Sequence, residues 1–240
     1  MTNFVIPIKD ISIDMSSVNG VMLDFSGGPD SALLGYMLAG YKNKLNSGLH
    51  LKFVNWQAKD LDEYLTPRVE KIIQWIRSEH DNVEIDLEIF QMDRSLIQPG
   101  VDWKTLSMDV IDDYEDALIN EHYDKAKSQG VYTHKATAQN VHMPEELADE
   151  LYGNRWHHGW RPERDYSKHV DKPVLSPGSL KPFNNLFKTD LFDIASHYGI
   201  VDTLMELTNS CNRAVTDTTI NYHCKECYHC IERHWAYGRY

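Results

Sequence analysis

Val21-Met22-Leu23-Asp24-Phe25 runs straight into Ser26-Gly27-Gly28-Pro29-Asp30-Ser31, and a helical pattern opens near Asp30 and extends to Lys44. An apolar strand that feeds a glycine-rich turn and then a helix N-terminus leaves several backbone N–H groups without partners. They point at one spot beside the positive end of a helix dipole, where an anion fits. Gly27 and Gly28 can take positive φ and let a phosphate approach the main chain, and Pro29 suits a first helical turn. Ser26 and Ser31 add hydroxyl donors. The same residue types also build ordinary strand-to-helix turns, so the signal lies in the order of the letters rather than in their composition. No Gly-Lys-Ser/Thr ending and no spaced glycine fingerprint is present, which separates this loop from the common nucleoside-triphosphatase loop and from dinucleotide-binding folds.

Outward from the loop, apolar runs alternate with helical patterns. Leu51 to Trp56 is expected as a strand, Pro67 to Ser78 as a helix and Val83 to Phe90 as a strand. Met108 to Ser128 follows as a long helix and Val131 to His134 as a short strand. Such a succession predicts an α/β fold, a parallel twisted sheet with helices on both faces. The strand C-terminal ends then line one crevice. The 26–31 loop belongs at that edge, with the tips after Trp56, Phe90 and His134. His134, Lys135 and Asn140 become candidate substrate-binding residues by this position. Met1 to Gly20 carries Phe4-Val5-Ile6 and an alternation at Ile8, Ile11 and Ile13, and is expected to add an edge strand.

The 240 residues are 42% hydrophobic and 25% charged, the balance of a soluble globular chain. No apolar run approaches the roughly 18 residues of a membrane span. The N-terminus lacks the basic-then-apolar order of a secretion signal, so a cytoplasmic protein is expected, without membrane association. A formal charge of −12 opposes wrapping around a nucleic-acid backbone, and direct nucleic-acid binding is not expected. The oligomeric state stays open, a homodimer among the options.

All four cysteines, Cys211, Cys224, Cys227 and Cys230, fall near the C-terminus with the spacing C-x12-C-x2-C-x2-C. Tight C-x2-C pairs let thiolates converge on one ion, and four sulfurs satisfy a closed tetrahedral Zn²⁺ site. In a cytoplasmic chain disulfides are disfavoured. A four-cysteine set also suits an iron–sulfur cluster; zinc is favoured because nothing else in the chain suggests redox chemistry. His223 and His229 flank the set and are read as neighbours rather than ligands. A closed site leaves no open position for water, so the ion is expected to clip the C-terminal segment in place.

Ser26-Gly27-Gly28-Pro29-Asp30-Ser31 after a first strand resembles the PP-loop ATP pyrophosphatase superfamily, whose members hold the pyrophosphate end of ATP and transfer AMP to a substrate. With Ser210-Cys211, then Cys224, Cys227, Cys230, Arg233 and Ala236-Tyr237, the chain resembles in particular the 7-cyano-7-deazaguanine synthase family. Pro182 to Asn185, Lys188-Thr189-Asp190 and Gly199-Ile200 keep that family's order, with Asp190 in place of the usual Glu. The resemblance implies a 1–200 nucleotide-binding α/β domain and a 201–240 four-cysteine metal-binding segment. It implies ATP, Mg²⁺ and Zn²⁺ as cofactors. It further implies that a deazapurine carboxylate and ammonia are converted through two adenylations to an amide and then a nitrile. Ser26, Gly27, Gly28, Asp30, Ser31 and Lys188 would bind ATP, with Asp30 orienting the Mg²⁺–phosphate unit and Lys188 stabilising the leaving charge.

The middle of the chain departs from that pattern. It offers His134-Lys135-Ala136-Thr137-Ala138-Gln139-Asn140, then Met143-Pro144-Glu145-Glu146, then Trp156-His157-His158-Gly159-Trp160-Arg161-Pro162-Glu163-Arg164. The tryptophans could stack a flat base, and Arg161 and Arg164 could pair a carboxylate; a packed surface loop would use the same residues. Two alternatives follow: an adenylating enzyme that stops at the amide or takes another carboxylate or nucleobase, and a non-catalytic ATP-binding module.

Overall fold

The apolar run ahead of the glycines becomes the centre of the sheet, in a computed structural model that describes residues 3–58, 65–153, 164–165, 172–211 and 223–240. In chain order the elements are β1 (Asn3–Ile6), β2 (Ile11–Asp14), β3 (Gly20–Asp24), α1 (Pro29–Leu45), β4 (His50–Ala58), α2 (Leu65–Glu79) and β5 (Asp86–Met92). Then come α3 (Met108–Ser128), β6 (His134–Ala136), α4 (Glu145–Tyr152), β7 (Val174–Ser176), β8 (Ser179–Lys181), α5 (Lys188–His197), α6 (Val201–Leu207) and α7 (Tyr228–Tyr237).

Six strands form one sheet in the order β5-β4-β3-β6-β8-β7. Pairing is parallel from β5 to β8, and β7 closes the edge antiparallel to β8. β3 is buried along Gly20 to Leu23, as a strand covered on both faces should be. Alternation along the strands sorts the core into two layers. Val21, Leu23, Leu51 and Phe53 pack on one face with Leu33 and Leu34 of α1, Ile72 and Ile76 of α2 and Leu191 of α5. Met22 and Val54 pack on the other with Tyr123 and Ala126 of α3. Helices on both faces, as expected, follow from that period of two. Strand order reverses on either side of β3, so the switch point lies between β3 and β6, where doubly wound folds open their crevice.

Two expectations are corrected. The N-terminal stretch is no edge strand: β1 and β2 make a separate antiparallel pair. Ile8 and Asp10 adopt left-handed φ of 62° and 51° in the intervening turn, and Phe4, Ile6 and Ile13 face the core. The fourth sheet strand starts at His134 rather than ending there. Gly130, at φ 77°, closes the turn after α3, and the approach through Thr133 bonds the Gly20 carbonyl before the ladder opens with His134 opposite Val21. Among the described residues no helix is long and apolar enough to cross a membrane.

Candidate functional site

The loop between β3 and α1 is preformed. Gly27 takes φ 74°, and Gly28 caps α1 in an extended conformation with no side chain on the helix end. The Ser26 and Ser31 hydroxyls lie 3.1 Å apart; Ser26 Oγ accepts from the Gly28 N–H at 3.3 Å and Ser31 Oγ donates to the Gly28 carbonyl at 3.2 Å. Amides and hydroxyls are thereby grouped at a positive helix end.

Asp30, in the first turn of α1, gathers the rest. Its Oδ2 accepts from Asn140 Nδ2 at 2.7 Å and lies 3.1 Å from Lys188 Nζ. Its Oδ1 is buried and makes no hydrogen bond among the described residues, an open lone pair of the kind that suits Mg²⁺. Asn140 stands on the loop after β6, so the two loops flanking the switch point meet through this contact. Lys188 opens α5, whose first turn is fixed by Asp190 Oδ2 accepting from the Phe187 N–H at 2.8 Å. Asp190 Oδ1 also takes Lys9 Nζ from the β1–β2 turn at 2.5 Å.

A carboxylate from the C-terminal helix holds the cluster from behind. Glu232 is fully buried; its Oε2 is 2.7 Å from Lys188 Nζ and its Oε1 2.6 Å from Arg164 Nη2. Arg164 also donates to the Asn140 carbonyl at 2.8 Å and to Asn140 Oδ1 at 2.5 Å. The Asn140 amide thus has its acceptor on the arginine and its donor on Asp30. Tyr228 OH lies 3.4 Å from Glu232 Oε1 and 2.7 Å from His142 Nδ1. Burial alone would push the Glu232 carboxyl up, but Lys188 and Arg164 hold it well below the usual carboxylate range. Burial would lower Lys188 in the same way, yet Asp30 and Glu232 keep it raised and charged.

Ser26, Gly27, Gly28, Asp30, Ser31, Asn140, Arg164 and Lys188 therefore converge. Arg161 and the tryptophan-rich run before Arg164 lie outside the described residues. The positional reason for naming His134 and Lys135 does not hold. His134 sits opposite Val21 at the entry of β6, the far end from the crevice, with its Nδ1 2.9 Å from Thr133 Oγ1. Lys135 follows it in mid-strand, opposite Met22. The cause is the later start of β6.

Sequence reasoning missed Glu232 and Arg68. Glu232 had a signal: Tyr228, Glu232 and Ala236 repeat every four residues on the buried stripe of α7, where an acid is out of place. Arg68, on the first turn of α2, is buried with its guanidinium against the loop; a Cβ added to Gly27 would lie 3.6 Å from Nε and 3.7 Å from Nη2. Arg233, named for its place after the cysteines, ties α7 to the end of α6. Its Nη2 donates to the Met205 carbonyl at 2.7 Å and its Nη1 to the Thr208 carbonyl at 3.0 Å.

The four cysteine sulfurs lie within 4.8 Å of one another. Cys224 and Cys230 Sγ are 3.9 Å apart, close to the about 3.8 Å edge of a tetrahedron with zinc–sulfur bonds of about 2.3 Å. The Cys227 N–H points at Cys224 Sγ at 3.2 Å and the Cys224 N–H at Cys211 Sγ at 3.4 Å, the polarity that thiolates favour. A hydrogen bond with Cys227 and burial push the Cys230 thiol up. The donor set fits one metal ion.

No protein-family model matches the chain, and no curated protein does. Among solved structures the chain is similar to U34-tRNA thiolase NcsA from Methanococcus maripaludis with its [4Fe-4S] cluster, at 14% identity and a TM-score of 0.47, over 81% of this chain and 59% of that one. It is also similar to NMN synthetase from Francisella tularensis, at 14% identity and a TM-score of 0.49, over 95% of this chain and 82% of that one. The chain thus spans less than two thirds of the thiolase's length.

Proposed function

We propose that the chain is an ATP-dependent adenylating enzyme. The reading is carried by one observation: Asp30, Asn140 and Lys188 converge beside the Ser26–Ser31 loop at the switch point of the sheet. Loop amides and hydroxyls bind the pyrophosphate end of ATP and orient it for in-line attack at the α-phosphorus. A substrate carboxylate oxygen forms the new bond to that phosphorus while the bond to the bridging oxygen breaks. Pyrophosphate leaves with the negative charge, which the Lys188 ammonium stabilises without giving up a proton. Asp30 offers Oδ1 to Mg²⁺, which would supply further charge neutralisation on the phosphates. No protein nucleophile is required.

The sharper substrate assignment rests on the Ser210-Cys211 to Tyr237 fingerprint. By that reading 7-carboxy-7-deazaguanine is adenylated, ammonia attacks the acyl carbon, and AMP departs to leave the amide. A second ATP adenylates the amide oxygen; loss of AMP and protons then yields 7-cyano-7-deazaguanine. Cys211, Cys224, Cys227 and Cys230 hold a zinc ion that fixes α7 and with it Glu232. The close packing of the sulfurs supports a single ion, since an iron–sulfur cluster spreads its cysteines over separate irons.

The test is incubation with Mg-ATP, ammonium and 7-carboxy-7-deazaguanine, following pyrophosphate and the base by mass spectrometry. Nitrile is expected. Amide alone halts the chemistry after one adenylation, and the absence of substrate-dependent pyrophosphate overturns the substrate assignment.

A further inference from the structure

We infer that the chain carries a second small-molecule site, remote from the nucleotide loop, that takes an uncharged hydroxylated aromatic compound of one or two rings. A cavity of about 240 Å³ opens between β1, the second half of α1, the end of α2 and the residue after α5, walled by Phe4, Tyr36, Met37, Tyr41, His80 and Tyr198. Its size sets the guest: a cavity of about 150 Å³ holds benzene, and drug-sized ligands need about 300 Å³ or more. Gly40, also in the lining, comes ten residues after Asp30, about 15 Å along α1 from the phosphate loop. Occupancy here does not depend on the adenylating reading.

The aromatic wall is preformed. Tyr36 stacks on Trp75 with ring centroids 5.4 Å apart and planes at 20°, and Tyr198 meets Tyr36 edge-on at 5.4 Å. Faces held in this way offer contact to a planar ring at little cost in side-chain ordering. Val5, Leu45 and Tyr198 leave apolar surface exposed at the mouth, and a ring seated there removes it from water. Around His80 the charge of Lys44 is set against those of Glu79 and Asp81, and with no dominant sign the site selects a neutral guest.

One polar group in the wall says what the ring carries. His80 is buried, and its Nε2 makes no hydrogen bond among the described residues. Burial keeps the imidazole neutral at pH 7, although the Tyr36 carbonyl offsets part of that effect. A hydroxyl both donates and accepts, so it satisfies Nε2 in either tautomer. The placement of the ring is built: Gly40 lets it lie against α1, where an added Cβ would come 3.0 Å from His80 Cε1. Asp81 and Asn82, at left-handed φ of 53° and 59°, turn the chain just beyond it, and Asn43 Nδ2 donates to Asp81 Oδ2 at 3.0 Å to pin that turn to α1. A helix-interior glycine and two left-handed residues thus act together on the position of one unsatisfied ring.

The experiment is a titration of the full chain with p-cresol, toluene and 2-naphthol, read from ¹H–¹⁵N correlation spectra, in wild type, His80→Phe and Leu45→Asp. Saturable shifts are expected at the amides of Val5, Gly40 and Tyr198, with a Kd for 2-naphthol on the order of 100 μM. p-Cresol should bind roughly three- to tenfold more tightly than toluene, the range for one neutral hydrogen bond, and the two should bind alike in His80→Phe. Equal affinities in wild type overturn the hydroxylated class of ligand. Shifts confined to the 26–31 loop, or none, overturn the site. Shifts at the same amides that grow with protein concentration alone mean that a second copy covers the cavity, which also overturns it. If His80→Phe does not fold, Leu45→Asp decides: a charge at the exposed rim should weaken all three probes several-fold, and undiminished affinity overturns the inference.

Discussion

Lys188 Nζ and Glu232 Oε2 are 2.7 Å apart with both side chains inside the molecule. The pair joins the first residue of α5 to the C-terminal helix that the cysteines anchor. A buried ion pair adds little net stability, yet removing one partner strands the other charge at a cost of about 3–5 kcal/mol. Glu232→Ala, which strips Arg164 of its carboxylate partner and leaves Lys188 with Asp30 alone, should therefore destabilise the fold by about that amount in urea denaturation. Glu232→Gln keeps the shape and should fold, with a slower pyrophosphate release. Lys188→Ala should abolish that release; unchanged turnover would remove Lys188 from the site.

The cysteine cluster makes a separate prediction. Purified protein should carry about one equivalent of zinc and no visible iron–sulfur absorption. Cys230→Ser, at the most buried sulfur, should lose the metal and lower the melting temperature, measured by elemental analysis and calorimetry. Because Cys230 and Glu232 share a helix, chelation should also weaken pyrophosphate release.

Gly20 is the tightest point of the central strand: a Cβ there would sit 2.2 Å from the Val131 carbonyl oxygen, a backbone atom that cannot swing aside. Gly20→Ala should destabilise by about 1–3 kcal/mol or more. Gly48→Ala, whose nearest neighbour is the Asn46 side chain at 3.6 Å, should stay within about 0.5 kcal/mol. Denaturant midpoints compare the two.

His80 predicts a pH effect. It is 5% exposed, packed on Tyr36 and beside Gly40, and burial holds its pKa below the usual 6.5. The unfolded chain then takes up the proton first, so stability is complete above about pH 6.5 and falls as the pH drops below it. Urea midpoints between pH 7.5 and 5.5 should show a smaller decline in His80→Gln than in wild type.

Strands and helices whose apolar period was long were legible in the chain: α3 was expected from Met108 to Ser128 and forms there. The short ones were not. β7 and β8 have three residues each, too few to show a period, and are made by pairing across the tight turn at Gly178. The loop chemistry could be read because glycines, serines and an acid stand consecutively. Arg68 could not, since its meeting with Gly27 depends on how α2 leaves β4. Asn140 was found for a partly mistaken reason: the strand before it runs later than expected, but the loop still reaches Asp30.

The contacts around Asp30 also say when during folding the site exists. Asn140 reaches it across 110 positions, and Arg164 reaches Glu232 across 68. The 26–31 residues are neighbours in sequence, whereas their companions arrive only through these long-range contacts. A chain lacking its final helix has the loop residues but no Glu232 to position Lys188 and Arg164. On the adenylating reading proposed above, nucleotide affinity would report complete folding, and a bound nucleotide would stabilise finished molecules only.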